Sequence, residues 1–259
     1  MIEKILREFE KLPSVEAIAI GGSRSTNNYD EKSDYDIYIY VSSPIDEKIR
    51  YDIYKSTTTT MEVGNKYWEE EDNIIMKDGI YADIIYRNLE TFINEIKSVV
   101  TFCIPHNGYT TCMWHNLINS KIIFDKEGKL KKYQDEFNIP YPEKLSKNII
   151  ERNHNLLNKA LPNYYDQIKK AVNRNDLVSI NHRTAEFLAS YFDLLFALNK
   201  KTHPGEKRLI SLAVKECNIL PNNFEINLRK LFDTMYGNTK NLISILDEIL
   251  DELEKILWI

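Results

Sequence analysis

Hydrophobic and polar positions follow two alternating periods over roughly the first half of the chain and a single period after it. Ile2, Ile5, Leu6 and Phe9 recur at helical spacing and predict an amphipathic helix that stops near Pro13. Val15 to Ile20 is a nearly continuous apolar run of strand length, halted by Gly21-Gly22. Asp34 to Val41 alternates strictly. Tyr35, Ile37, Ile39 and Val41 share one side and Asp34, Asp36, Tyr38 and Tyr40 the other, which predicts a half-buried strand. Ile74-Ile75-Met76, the turn Lys77-Asp78-Gly79 and the run Ile80 to Tyr86 read as a hairpin. A helix is expected over 89–100, a short strand over 121–125 and a turn over 125–128.

From about Glu143 onward every pattern is helical, with segments at 143–159, 163–173, 176–200, 205–217, 222–236 and 239–257. In the last of these Leu242, Leu246, Ile249, Leu250, Leu253 and Leu257 form one apolar stripe, the mark of core packing. The change of period, with Pro140-Tyr141-Pro142 breaking both kinds of element, divides the chain into domains at 1–140 and 141–259. The fold class expected is α+β: a small mixed sheet with flanking helices, followed by an all-α helical bundle. Thr57 to Thr60 is too short to count as a low-complexity tract.

Composition narrows the field. With 259 residues, 43% hydrophobic and 28% charged, the chain reads as an ordinary globular protein, neither disordered nor collagen-like nor membrane-embedded. A net charge of −5 offers no general basic surface, which disfavours nucleic acid as the main partner. The start of the chain is charged and amphipathic and no apolar run approaches ~18 residues, so neither export nor membrane insertion is expected. Cys103, Cys112 and Cys217 are odd in number and lack metal-ligand spacing, and read as reduced thiols of a cytoplasmic protein.

The informative chemistry lies in Gly21-Gly22-Ser23-Arg24-Ser25, followed after a polar loop by Ser33-Asp34-Tyr35-Asp36. A strand that ends in Gly-Gly-Ser can turn sharply and bring backbone N–H groups and a hydroxyl to an anion such as a phosphate. Asp34 and Asp36, two apart on a strand, project from one face with Cα atoms roughly 6.8 Å apart. Carboxylates so placed can ligate Mg²⁺ ions about 3.5–4 Å apart. Asp83 is an acid in an otherwise apolar strand, where an unpaired charge is costly. It needs a partner, and a metal would serve. The plainer alternative is that Asp34 and Asp36 face solvent while Asp83 pairs with an interior Arg or Lys.

In order, spacing and strand placement, Gly22-Ser23, Asp34-Tyr35-Asp36 and Asp83 resemble the motif set of the DNA polymerase β-type nucleotidyltransferase superfamily. Arg24 and the helical second half look like its bacterial stand-alone branch, which includes aminoglycoside and lincosamide nucleotidyltransferases, and more closely a helical-tailed group of it. The resemblance covers about residues 15–90. A departure is Ser25-Thr26-Asn27-Asn28, where the superfamily often has a further glycine. The resemblance implies an enzyme in which an acceptor hydroxyl attacks the α-phosphorus of a nucleoside triphosphate and pyrophosphate leaves. It implies ATP as donor, a two-metal Mg²⁺ site on Asp34, Asp36 and Asp83, and triphosphate contacts from Gly22, Ser23 and Arg24. Asp83 would be either metal ligand or proton acceptor.

The acceptor implied is a small hydroxylated molecule, antibiotic modification being the best-known precedent. Nucleotidylation of a protein or an RNA end is a second reading, and a non-catalytic nucleotide-binding or regulatory module a third. The module reading expects a lost carboxylate, and all three are present. Nothing in the sequence requires a dimer.

In the helical half, Pro204 and Glu206 read as the first turn of a helix, while Lys207 and Arg208 offer cations that could reach the triphosphate across an interdomain cleft. Asn181, His182, Arg183 and Glu186 could line an acceptor pocket, although His182, on a helix rich in aromatic residues, reads first as semi-buried. Trp68-Glu69-Glu70-Glu71-Asp72 reads as a solvated charged loop, whose acidity could attract a cationic acceptor.

Overall fold

The computed structural model describes residues 1–25 and 33–257, without the side chain of Ser23. In chain order the elements are α1 (Ile2–Glu10), β1 (Val15–Ile20), β2 (Tyr35–Val41), α2 (Glu47–Tyr54), β3 (Thr58–Asn65), β4 (Glu71–Met76), β5 (Tyr81–Asn88), α3 (Leu89–Val100), α4 (Cys112–Asn119), β6 (Lys121–Asp125), α5 (Lys129–Phe137), α6 (Glu143–His154), α7 (Tyr164–Asn173), α8 (Leu177–Leu198), α9 (Leu209–Glu216), α10 (Phe224–Tyr236) and α11 (Leu242–Leu257). The fold class is α+β. Two compact units are formed, one by Met1–Lys97 with Trp114–Ile139, the other by Ser98–Met113 with Pro140–Ile259.

In the first unit the described strands make one mixed sheet in the order β3-β4-β5-β2-β1-β6, with β2 and β5 parallel and every other pair antiparallel. On one face α1 buries Ile2, Ile5, Leu6 and Phe9 in a core with Ile18, Ile37, Ile39 and Ile84, as the helical spacing of the first ten residues requires. Val15–Ile20 and Lys121–Asp125 are strands as expected. The hairpin expected over 74–86 is β4 and β5, paired from Glu71↔Ile85 to Ile75↔Tyr81.

The half-buried reading of Asp34 to Val41 needs correction. Ile37, Ile39, Tyr38 and Tyr40 are all buried. β2 lies in the interior of the sheet and is covered on both sides: on its second face Tyr40 packs on Phe92 of α3 with ring centres 5.6 Å apart, and the Tyr38 hydroxyl accepts a hydrogen bond from the Asn116 side chain of α4 at 2.9 Å. Alternation in this strand separates two covered faces, one of which happens to be aromatic.

The second unit is helical, with α8 at its centre, where Ile180, Phe187, Tyr191, Leu194 and Leu195 are buried. Leu242, Leu246, Ile249, Leu250 and Leu253 of α11 pack into the same core. The helices expected after Glu143 are found with shifted ends. The largest difference is at 205–208: α9 begins only at Leu209, with Arg208 preceding it at φ 59°. Pro204 and Glu206 therefore lie in the approach to the helix and not in its first turn. His203 before them is fully buried, its ring edge-on to Tyr109 and Phe196. Among the described residues no helix is long and apolar enough to cross a membrane.

Candidate active site

The strand order brings the acids together. β2 and β5 are parallel neighbours and their register pairs Asp36 with Asp83. Register partners on adjacent strands stand roughly 4.8 Å apart and point to the same face. Asp34, one residue before β2, lies on that same side by alternation and is exposed. This is the side that carries Tyr38 and Tyr40, opposite the Ile37–Ile39 core.

Against Asp36 lies the glycine turn. β1 ends at Ile20, the Gly21 N–H donates to the Asp36 carbonyl at 2.8 Å, and residues Gly22–Ser25 form one short 3₁₀ turn. Gly22 has φ +57°, in the left-handed region that favours glycine, and a side chain there would overlap the Asp36 carboxylate. The backbone of the turn thus closes directly on one of the acids. Arg24 joins the described segments on either side of residues 26–32: its Nε donates to the Ser33 carbonyl at 2.7 Å and its guanidinium lies 3.8 Å from the centre of the Tyr35 ring. The side chain of Ser23 and residues 26–32 lie outside the described residues.

Asp83 is held from the other side. Its Oδ1 accepts a hydrogen bond from Asn73 Nδ2 at 2.9 Å, Asn73 being its register partner on β4. Among the described residues Asp83 makes no ion pair, so the interior Arg or Lys weighed as its partner is not there. Glu71, two positions along the same face of β4, is 9% exposed, and its carboxyl is pushed up by burial and then by the nearby charge of Asp83. Further along this face Arg87 spans Glu69, which it contacts through Nε at 2.7 Å and Nη2 at 2.6 Å, and the Tyr38 ring 4.4 Å away.

The stretch 68–72 divides: Trp68, 84% exposed, lies with Glu69 and Glu70 in the connection between β3 and β4, while Glu71 and Asp72 belong to the strand. Glu69 and Glu70 pair with Arg87 and Arg50, Glu71 opens β4, and Asp72 is fully buried on the opposite face of the sheet. Neither Asn73 nor Glu71 carries a recognisable motif. The signal that could have found Asn73 is register: a hairpin with its turn at 77–79 sets Asn73 opposite Asp83.

Among the described residues no group of three or more His, Cys, Asp or Glu side chains is gathered tightly enough to hold a metal ion. Mg²⁺ is commonly held by one or two carboxylates with substrate phosphates completing its shell. Asp36 and Asp83 supply hard oxygen donors side by side, and the close approach of Gly22 leaves backbone beside them. Those residues fit a divalent cation bound together with a phosphate.

Residues 2–106 match the family model described as nucleotidyltransferase domain. The amino-terminal part of the chain is a nucleotidyltransferase domain. It gives the chain its enzyme class, nucleotidyltransferase. Residues 110–209 match a second model, a domain of unknown function (DUF4037). No curated protein matches the chain. Among solved structures, a nucleotidyltransferase-like protein from Exiguobacterium sibiricum is similar at 11% identity and a TM-score of 0.43, over 99% of this chain and 73% of that one. An aminoglycoside 6-adenyltransferase from Bacillus subtilis is similar at 11% identity and a TM-score of 0.32, over 98% of this chain and 89% of that one. In the nucleotidyltransferase domain lie Gly22, Ser23, Arg24, Asp34, Asp36 and Asp83.

The remaining residues singled out from the sequence belong to the helical unit. Lys207 and Arg208 are exposed just ahead of α9. His182 is exposed on α8 and not semi-buried, while Glu186 accepts a hydrogen bond from the Tyr164 hydroxyl at 3.4 Å. None of Cys103, Cys112 and Cys217 is joined in a disulfide.

Proposed function

We propose that this nucleotidyltransferase moves a nucleoside monophosphate, AMP from ATP, onto a hydroxyl group of a small molecule in the cytoplasm, with Mg²⁺ as its metal. The observation that carries this reading is the pairing of Asp36 with Asp83 beside a glycine turn whose Gly22 admits no side chain. Asp34, Asp36 and Asp83 are the acids that would hold the metal. When bound, a divalent cation polarises the phosphoryl oxygens and neutralises charge that develops on the leaving pyrophosphate. The turn Gly22-Ser23 offers backbone N–H groups to the terminal phosphates, and Arg24 adds a cation whose position is fixed by Ser33 and Tyr35. Asp83 stands where it can ligate a metal or accept the proton of the acceptor hydroxyl. Lys207 and Arg208 are assigned to the triphosphate as cationic contacts. The acceptor is a small hydroxylated molecule, with antibiotics the first to screen.

The test is a calorimetric titration of ATP and of each other nucleoside triphosphate, with and without Mg²⁺, on the wild type and on Asp34→Ala/Asp36→Ala. Mg²⁺-dependent binding that is lost in the variant is expected and would justify screening acceptors by pyrophosphate release. Equal binding by both proteins would remove the acids from the site.

A further inference from the structure

The partners of Asp83 form a chain with a direction. The Tyr67 backbone N–H donates to Asn65 Oδ1 at 2.9 Å, Asn65 Nδ2 donates to Asn73 Oδ1 at 2.9 Å, and Asn73 Nδ2 donates to Asp83 Oδ1 at 2.9 Å. A side-chain amide has one donor end and one acceptor end, so by itself it can sit either way round. A backbone N–H can only donate. It therefore turns the Asn65 oxygen toward Tyr67 and the Asn65 NH₂ toward Asn73, and the Asp83 carboxylate, which only accepts, requires the same orientation of Asn73 from the other end. Glu71 stands beside the chain, 3.5 Å from Asn65 Nδ2. Without the chain, an Asn73 turned the other way would set carbonyl lone pairs against the Asp83 carboxylate.

We propose that Asn73 is a positioning residue that holds the Asp83 carboxylate in one orientation, and that Asn65, itself oriented by the backbone, holds Asn73 in place by donating to its oxygen. The proposal rests on the reading of Asp83 as a site carboxylate. It assigns Oδ1 to the sheet and Oδ2, the oxygen not engaged in that bond, to an incoming cation. The relay costs no net charge, unlike an Arg or Lys partner, so Asp83 keeps its full negative charge for the ligand. Partners that orient metal-binding carboxylates typically affect metal affinity about 10–100-fold.

The decisive substitution is Asn65→Asp, nearly identical in shape. Asp at this position can still accept from the Tyr67 N–H, but it can no longer donate to Asn73, whose oxygen then faces a carboxylate and whose hold on Asp83 is lost. An added negative charge by itself would strengthen cation binding, whereas loss of the relay weakens it. The probe is Mn²⁺, its affinity read by electron paramagnetic resonance on the full chain in the presence of a non-hydrolysable ATP analogue. Wild type, Asn65→Asp, Asn73→Ala, Asp83→Asn and Asp34→Ala/Asp36→Ala are compared, with thermal melts to establish folding. The expected result is Mn²⁺ affinity about tenfold or more lower in Asn65→Asp and Asn73→Ala, and lower still in Asp83→Asn. Should Asn65→Asp not fold, Asn73→Ala decides alone. Wild-type Mn²⁺ affinity in the folded asparagine variants overturns the relay and leaves the proposed function standing, whereas wild-type affinity in Asp83→Asn overturns the relay and removes Asp83 from the metal ligands, leaving it the proton-acceptor role. Wild-type affinity in Asp34→Ala/Asp36→Ala overturns the proposed site, and the relay with it.

Discussion

A methyl group placed on the Cα of Gly22 would overlap Oδ2 of Asp36, so the turn after β1 and the carboxylate of β2 occupy the site only because position 22 has no side chain. The backbone there also has φ +57°, where L side chains are strained. Gly22→Ala must therefore either displace the Asp36 carboxylate or open the turn. The expected outcome is a stability loss of about 1 kcal/mol together with a much larger proportional loss of MgATP affinity. Calorimetry beside a urea melt separates the two, and unchanged MgATP affinity in Gly22→Ala would detach the turn from nucleotide binding.

The opposite face of the sheet holds a different acid. Asp72, fully buried, accepts from Arg50 Nη1 at 3.0 Å, from the Tyr54 and Tyr86 hydroxyls at 2.8 and 2.7 Å, and from the Gly64 N–H at 2.8 Å. Burial pushes the pKa of both tyrosines well up, so their hydroxyls stay protonated as donors. Removing the acid leaves the Arg50 guanidinium, 1% exposed, with Glu70 as its ion-pair partner. Asp72→Ala should cost about 3–5 kcal/mol in urea denaturation, and Arg50→Met/Asp72→Leu should recover much of that loss. A cost within 1 kcal/mol would mean that the network is not holding α2 to the sheet.

Lys207 and Arg208 are exposed, so their charges can be removed with little harm to the fold. Lys207→Ala/Arg208→Ala should keep its stability within about 0.5 kcal/mol. If these residues contact the triphosphate, MgATP affinity falls and its salt dependence becomes shallower. Wild-type affinity and salt dependence would leave the pair as simple solvated charges.

These outcomes trace how much could be read from the chain. Helical stripes such as Leu242, Leu246, Ile249 and Leu253 were legible because one side of each helix meets a core, and period alone reports that. The glycine turn and the three acids were legible because their residue types are unusual where they stand. β2 was misjudged because Tyr38 and Tyr40 count as half-polar in a pattern, whereas α3 and α4 cover them. Asp72 was misjudged for the opposite reason: in Glu69-Glu70-Glu71-Asp72 the acids look alike, and only strand alternation sends Glu71 to one face and Asp72 to the other. Asn73 and Asn65 act through register, which no local pattern displays. α2 and β3 went unread: α2 has a local start in Asp46, which accepts from the Lys48 N–H, but it buries only Arg50 and Tyr54 and so shows no apolar stripe, and most of β3 is not buried, so its pattern shows no covered face.

In the helical unit the buried carboxyl of Asp193 gives a prediction in pH. It is 1% exposed and accepts from the Thr110 N–H at 2.9 Å, from Thr110 Oγ1 at 2.7 Å and from Asn153 Nδ2 at 3.0 Å. Burial pushes its pKa up from the ordinary 3.8 to about 6, against the pull of these hydrogen bonds. An acid with a raised folded pKa binds its proton more tightly in the native state than in the unfolded one. Its contribution is therefore fully present below the unfolded pKa, is lost as pH rises through the window from about 4 to 6, and is constant above it. The amount at stake is about 3 kcal/mol. Asp193→Asn keeps an acceptor for Thr110 and has no charge to bury. Urea midpoints measured across pH 4–7 on both proteins should show the variant gaining on the wild type through that window, since every other acid titrates alike in the two and cancels in the difference. Parallel curves would mean that Asp193 carries its charge in the folded unit without penalty.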